Sequence, residues 1–425
     1  MNKFTLTSIT FLCCLLFSIN NVIAAENASA PANSSESDDF KWADYKKPWM
    51  DDVQIHGFLS QGLFSTSGNN VYGKSKDSVS AGSTEVGLNI SYQALNNLSF
   101  AVQGLYRRAG ESTGSEGEVT LDFAFVDYTF FRHQAGRFGV RAGRIKNPWG
   151  LYNETRDVAA THPTIFLPLA YYERSRALYV SMDGGQLYSD YNTDVGNFTF
   201  KLNLGLTTSD KELLAAITAN PAVQGSLTSD LSLLANLNYE IDNGKYIFAF
   251  SYANLSLGYG GEATDPYIDF TSKIDSFMLS AQYNGERLSL TAEYALQWNQ
   301  FNQLPTPYPG VKIDISPVSE HWYVQAGYRI LDNLQATLRY DSSVQDISDR
   351  KGVAFNQSQP FLPAHIMFTQ DIVFGMRWDI TPAWMLRAEY HRVHGSSTVS
   401  AFDNPDLTQQ AKDWNIYALQ LAYQF

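Results

Sequence analysis

From Val53 onward the chain falls into about sixteen segments of roughly ten residues in which apolar side chains alternate with polar or small ones. Val86, Leu88, Ile90 and Tyr92 form one series; Phe198, Phe200, Leu202, Leu204 and Leu206 form another. Leu288, Leu290, Ala292, Tyr294, Leu296 and Trp298 repeat the pattern, as do Trp322, Val324, Ala326, Tyr328 and Ile330, then Ile372, Phe374, Met376 and Trp378. The residues between are of the kind of Thr199, Lys201, Asn203 and Gly205. Successive side chains of a strand point to opposite faces, so each segment predicts a strand with one apolar face and one polar face. About ten residues is the length a tilted strand needs to cross a bilayer. A slip of one residue would turn every polar side chain into lipid, so the register is tightly specified.

The connections between these segments alternate in length. Leu95-Asn96-Asn97, Asp242-Asn243-Gly244-Lys245, Asn284-Gly285-Glu286-Arg287, Leu331-Asp332-Asn333 and Ile380-Thr381-Pro382-Ala383 are short and rich in residues that tolerate positive φ. Long connections lie between them, at 65–80, 109–118, 147–176, 207–230, 258–273, 299–318, 341–366 and 395–413. Short turns on one side and long loops on the other predict an all-β chain: a single transmembrane antiparallel β-barrel of about 16 strands, with periplasmic turns and extracellular loops. A soluble sandwich has no reason to show either this alternation or aromatic outer faces.

Composition agrees. Aromatic residues make up 14% of the chain and charged residues 17%, with a mean hydropathy of −0.23, and no apolar run long enough for a spanning helix follows residue 25. Met1 to Ala25 predicts a secretory signal peptide: Lys3 is the basic start, Ile9 to Phe17 a short apolar core, and Val22-Ile23-Ala24-Ala25 the cleavage zone. Cys13 and Cys14 lie inside that core, so the exported chain has no thiol for a disulfide, metal site or nucleophile. The formal charge of −13 becomes more negative once Lys3 leaves, which argues against nucleic acid as a partner. Residues 26–50 show no strand pattern and predict a flexible periplasmic segment, with Trp42, Tyr45 and Trp49 as a second reading, a periplasmic contact. The barrel then occupies 51–425.

At the C-terminus Tyr417, Leu419, Leu421, Tyr423 and Phe425 alternate with Ala418, Gln420, Ala422 and Gln424. This strand resembles the C-terminal strand of Gram-negative outer-membrane β-barrels. The resemblance implies an outer-membrane location and recognition by the barrel assembly machinery through Phe425.

One connection has its own chemistry. The third long loop opens Asn147-Pro148-Trp149-Gly150, contains Pro163, Pro168 and the apolar run Ile165-Phe166-Leu167, and ends near Arg176. That much apolar material must pack on something, and in a barrel of this size the lumen is the place available. Here the chain resembles the Gram-negative trimeric porins, whose third loop forms the constriction of a 16-stranded barrel. The resemblance implies a homotrimer and a water-filled pore for passive diffusion of small hydrophilic solutes and ions. Candidate constriction residues on the loop are Glu154, Arg156, Asp157, Glu173, Arg174 and Arg176. The polar strand faces offer Arg107, Arg141, Lys201, Arg329, Arg339, Arg377 and Arg387 as pore wall. Opposed charges across a narrow pore orient dipolar solutes and reject apolar ones; alternatively the same pairs merely pin the loop to the wall. Lumenal Asp122, Glu240, Glu293, Asp371 and Glu389 argue against simple anion selectivity. A substrate-selective anion or carboxylate channel and a plugged adhesin or structural barrel are the alternative functions. None of the familiar catalytic motifs occurs, and no enzyme activity or cofactor is expected.

Overall fold

The computed structural model describes residues 52–425 except 111–116, 219–221, 263–264, 266–268 and 306–311. The predicted signal peptide with Cys13 and Cys14, and the segment 26–50 with Trp42, Tyr45 and Trp49, lie outside the described residues.

The alternating segments form one closed antiparallel sheet. In chain order its strands are β1 (Val53–Thr66), β2 (Ser80–Leu95), β3 (Leu98–Ala109), β4 (Glu118–His133), β5 (Gly136–Lys146), β6 (Ser181–Thr193), β7 (Gly196–Thr207), β8 (Ser226–Ser229) and β9 (Leu231–Ile241). They continue as β10 (Tyr246–Gly260), β11 (Phe270–Asn284), β12 (Leu288–Pro305), β13 (Lys312–Ile315), β14 (Val318–Leu331), β15 (Leu334–Val344), β16 (Phe368–Asp379), β17 (Trp384–Gly395) and β18 (Asp413–Gln424). β8 prolongs β9 along the same edge of β10, and β13 prolongs the pairing of β12 with β14, so the wall has 16 staves. The ring closes where β1 pairs with β18, and Phe425 exchanges backbone hydrogen bonds of 3.0 and 3.2 Å with Gly57. Closure leaves no open strand edge, as a hydrocarbon environment demands.

Register sets the predicted apolar series outside. Val324 and Phe374 are 50% and 54% exposed, an exposure that suits such residues against an apolar surrounding. Inward positions such as Asn203, Glu293, Asp341 and His391 are buried. The short turns and long loops segregate to opposite ends. In the turn after β9, Asp242, Asn243 and Gly244 all take positive φ, which explains the Asp-Asn-Gly sequence. Strands at the long-loop end overshoot the expected limits: β10 runs to Gly260 and β12 to Pro305, inside stretches expected as loop. There Lys273 pairs with Gln300 and Thr271 with Asn302. Ladder pairing continues above the level where an apolar outer face is required, so the alternation that marks a strand in the sequence stops before the strand does.

The protein's apolar core is inside the barrel. Trp149, Tyr171, Leu178 and Tyr179 of the third long loop and Leu213 of the helix Lys211–Thr218 pack on Leu234, Leu255, Met278, Ala295 and Tyr323 of the wall. This part of the lumen is therefore filled as a soluble protein's interior would be.

Candidate functional site: the neck beside the third loop

After Lys146 the chain leaves the wall and crosses the lumen through residues 147–180. Pro148, Pro163 and Pro168 lack the N–H that a ladder needs, and the loop is instead built of 3-10 turns at Asn153–Thr155, Ala159–Thr161, Leu169–Tyr171 and Glu173–Ser175, then a short helix Arg176–Val180. Buried Glu293 of β12 holds it on one side. Its carboxylate accepts from Leu151 N (3.1 Å), Tyr171 Oη (2.6 Å), Tyr323 Oη (2.7 Å) and Ser280 Oγ (2.5 Å). On the other side Asp341 accepts from Leu169 N at 3.1 Å, and Glu389 accepts from Ile165 N and Phe166 N. Arg339 donates to Thr164 Oγ1 (2.7 Å) and Phe166 O (3.0 Å), and Arg377 donates to Ala160 O (2.9 Å). The run Ile165-Phe166-Leu167 does meet the wall, through its backbone and through the Phe166 ring, which lies 5.4 Å from Phe64 and 5.0 Å from His391 and packs on Val393, Trp414 and Ile416.

Beside this loop the lumen narrows. A cavity of about 440 Å³ at the long-loop end adjoins a neck of about 40 Å³, which adjoins a cavity of about 500 Å³ at the short-turn end. The upper cavity and neck share Tyr72, Arg107, Phe166, Leu167, Glu173 and Arg176; the neck and lower cavity share Ala159. A space of 40 Å³ holds on the order of one to three waters. Four guanidiniums line it, on Arg107, Arg156, Arg176 and Arg387, against three carboxylates, on Glu85, Asp157 and Glu173. Arg107 bonds Glu85 (3.2 Å) and Glu173; Arg156 bonds Glu173 (2.7 Å); Arg176 bonds Asp157, which also takes Lys146 at 2.7 Å. Arg387 makes no ion pair among the described residues; it donates to His162 O (2.9 Å) and Thr164 O and to Gln420. Burial opposes ionisation of Asp157, yet Arg176 and Lys146 overcome it and hold the carboxyl well below its usual range. Partial desolvation in the lumen opposes the half-exposed Glu173, and Arg107 with Arg156 pulls it below its ordinary value. Burial, with Arg387 adding to it, pushes His162 down to about 3, so this ring is neutral. By formal charge the lining has one guanidinium more than it has carboxyls.

The candidate residues sort by place. Arg156, Asp157, Glu173, Arg176, Arg107 and Arg387 meet at the neck. Glu154 does not: it pairs with Lys201 of β7 at 2.6 Å. Arg174 does not either; it lines the upper cavity, 3.7 Å from Glu212 and bonded to Ser397 O at 3.0 Å. Both were expected at the constriction, Arg174 nearest its narrowest point, and both are drawn away by partners on other elements. Of the remaining wall arginines, Arg339 pairs with Asp341 behind the loop, Arg377 lines the lower cavity, Arg141 pairs with Asp127 at 2.8 Å, and Arg329 is exposed near the turn after β14. Glu85, Lys146, Tyr72 and Gln420 escaped the sequence reading. Their only signal is a polar side chain on an inward strand position or, for Tyr72, an aromatic residue in the first long loop.

A closed antiparallel barrel of 16 staves with these connections is the fold of the Gram-negative outer-membrane porins. An anion-selective porin from Comamonas acidovorans shares 12% identity, with a TM-score of 0.53 over 88% of this chain and 99% of that one. The outer membrane channel DcaP of Acinetobacter baumannii shares 13%, with a TM-score of 0.52 over 88% and 97%. OmpT of Vibrio cholerae in its trimer form shares 12%, with a TM-score of 0.50 over 88% and 99%. No protein-family model and no curated protein matches the sequence.

Proposed function

We propose that this protein is an outer-membrane porin through which small hydrophilic solutes and ions diffuse passively, with residues 1–25 removed on export. The observation that carries the reading is the series of two large lumenal cavities joined by a charged neck. Arginines facing carboxylates across so small a space produce a transverse field that a dipolar solute can follow and an apolar one cannot. The one guanidinium in excess gives small anions a modest advantage. Planar-bilayer recording tests this: conductance should be linear in voltage and proportional to salt. Absence of conductance would leave a plugged structural barrel as the better reading.

The outer face supports a homotrimer. Register puts Arg144 and Asp183 on the same face as lipid-facing Leu206, where they pair at 2.7 Å with side chains 26% and 53% exposed. Arg144 lies two residues from the long-loop end of β5 and Asp183 two from that of β6, where an arginine against lipid costs about 0–1 kcal/mol and contact with another barrel removes even that. Small residues Ala124, Ala142 and Gly185 surround the pair and allow another barrel to approach closely. The aromatic strand Asp413–Gln424 with Phe425 is the segment we assign to the barrel assembly machinery.

A further inference from the structure

The upper cavity is unlike the wall of a simple aqueous pore. Its volume of about 440 Å³ falls within the range of small-molecule sites, and aromatic rings border it. Tyr72 and Phe166 lie parallel at 5.7 Å, and Tyr172 meets the edge of His321 at 4.6 Å. Tyr72 and Tyr172 both hold left-handed backbone, at φ 51° and 48°. Apart from the two turn residues Asp242 and Asn243, they are the non-glycine residues with positive φ among those described. Strain of this kind, on the order of 1–3 kcal/mol per residue, persists where the surroundings impose it, and here both instances border one cavity.

The same cavity is bordered by buried polar atoms with no hydrogen-bond partner, Tyr172 Oη, His321 Nδ1, Ser343 Oγ and Asp371 Oδ1, besides Arg174 Nε and Glu212 Oε1, which form an ion pair with each other at 3.7 Å. Ser343, His321 and Asp371 are 0%, 4% and 5% exposed. They form one patch on three adjacent staves, because His321 stands opposite Ser343, and Asp371 follows two residues after Thr369, the partner of Ser343. The other oxygen of Asp371 is already engaged by His391 at 2.7 Å. Leaving such groups unpaired is expensive, so the set describes what would satisfy it. The free Asp371 oxygen requires a donor and disfavours an anionic solute. The guanidiniums of Arg107, Arg174 and Arg176 in the lining disfavour an ammonium group. Hydroxyls donate and accept without net charge.

We infer that this cavity is a binding site for a neutral, hydroxyl-bearing solute with an apolar face, of the chemical class of a simple aryl glycoside. The hydroxyls reach the His321–Ser343–Asp371 patch after small side-chain rotations, and the apolar face lies against Phe166 and Tyr172. This site deepens the channel reading, because a solute held here stands directly above the neck, but binding is measurable without any current. Titration calorimetry on the full-length protein in mild detergent, with phenyl β-D-glucoside, phenylacetate and phenethylammonium as probes, tests it. The glucoside should bind at least tenfold more tightly than either ion. Ser343→Ala removes a hydroxyl that bonds nothing in the protein, so the melting temperature should hold while glucoside affinity falls at least threefold. Tyr172→Leu should lower it at least tenfold. No heat with the glucoside, equal binding of either ion, or wild-type affinity in both variants would overturn the assignment. A protein that binds glucoside yet passes no current refutes the channel and leaves the site standing; one that conducts but takes up no glucoside refutes the site.

Discussion

The charge of Arg387 makes the most demanding prediction. It is the neck guanidinium without an ion-pair partner among the described residues, held by two loop carbonyls and Gln420. Replacing it with glutamine leaves three guanidiniums facing three carboxylates. An ion passing about 6 Å from the lost charge changes in energy by about 0.7 kcal/mol if the neck screens like bulk water, and by about 2.8 kcal/mol at an effective dielectric of 20. The change has opposite sign for anions and cations. Even the weaker limit therefore moves their permeability ratio by about 1.4 kcal/mol, a tenfold shift towards cations. Reversal potentials across a potassium chloride gradient, with the dilute side near 0.1 M so that screening stays moderate, read this shift directly. Arg387→Lys separates charge from positioning: it keeps the cation but loses the planar fork that bonds the carbonyls. If charge governs passage, the lysine variant keeps the original selectivity whatever happens to its conductance. A glutamine variant with unaltered reversal potential, or a lysine variant that follows it, would refute the reasoning.

Three further outcomes follow from other parts of the molecule. Glu293→Ala deprives Leu151 N, Tyr171, Tyr323 and Ser280 of their acceptor, at about 1–3 kcal/mol each, so the third loop should come loose and single-channel conductance rise, whereas Glu293→Gln keeps one acceptor oxygen, enough for Leu151 N and Ser280, and should raise it less; equal conductance in both would contradict this. Burial raises the Glu212 carboxyl to about 7, against Arg174, so the folded helix Lys211–Thr218 binds a proton that the unfolded chain has already released. Stability present at low pH is therefore lost as pH rises from about 4.5 through 7, by up to about 3 kcal/mol, and hydrogen exchange corrected for intrinsic rates should show this loss in the native protein but not in Glu212→Gln. Asp183→Lys sets two cations side by side on the outer face and should yield monomers by native mass measurement; a persistent trimer would show that this face is not the interface.

The wall was legible because lipid tolerates nothing but alternation: Leu202, Leu204 and Leu206 are readable as an outer face without any neighbour in view. Prolines and the run Ile165-Phe166-Leu167 likewise marked the third loop as a body that must pack inward. Which charges meet at the neck was not legible. Glu154 and Arg174 resemble Arg156 and Glu173 in every local respect, and differ only in that Lys201 and Glu212, far along the chain, capture them. Glu85 and Arg387 sit on inward strand positions like many others; only the path of the loop past them selects those two.

The packed cluster inside the barrel divides the molecule into two materials. The wall is a ring of ladder hydrogen bonds whose apolar side chains stay in contact with lipid or detergent, so urea finds little new surface to solvate there. The interior packed around Trp149, Tyr171, Leu213 and Met278 is ordinary buried apolar surface, the kind that denaturants do act on. Moderate urea should then release the contents of the barrel before it breaks the ring. The intermediate would be a cylinder with its stopper drawn, wider than the native protein and still seated in the membrane.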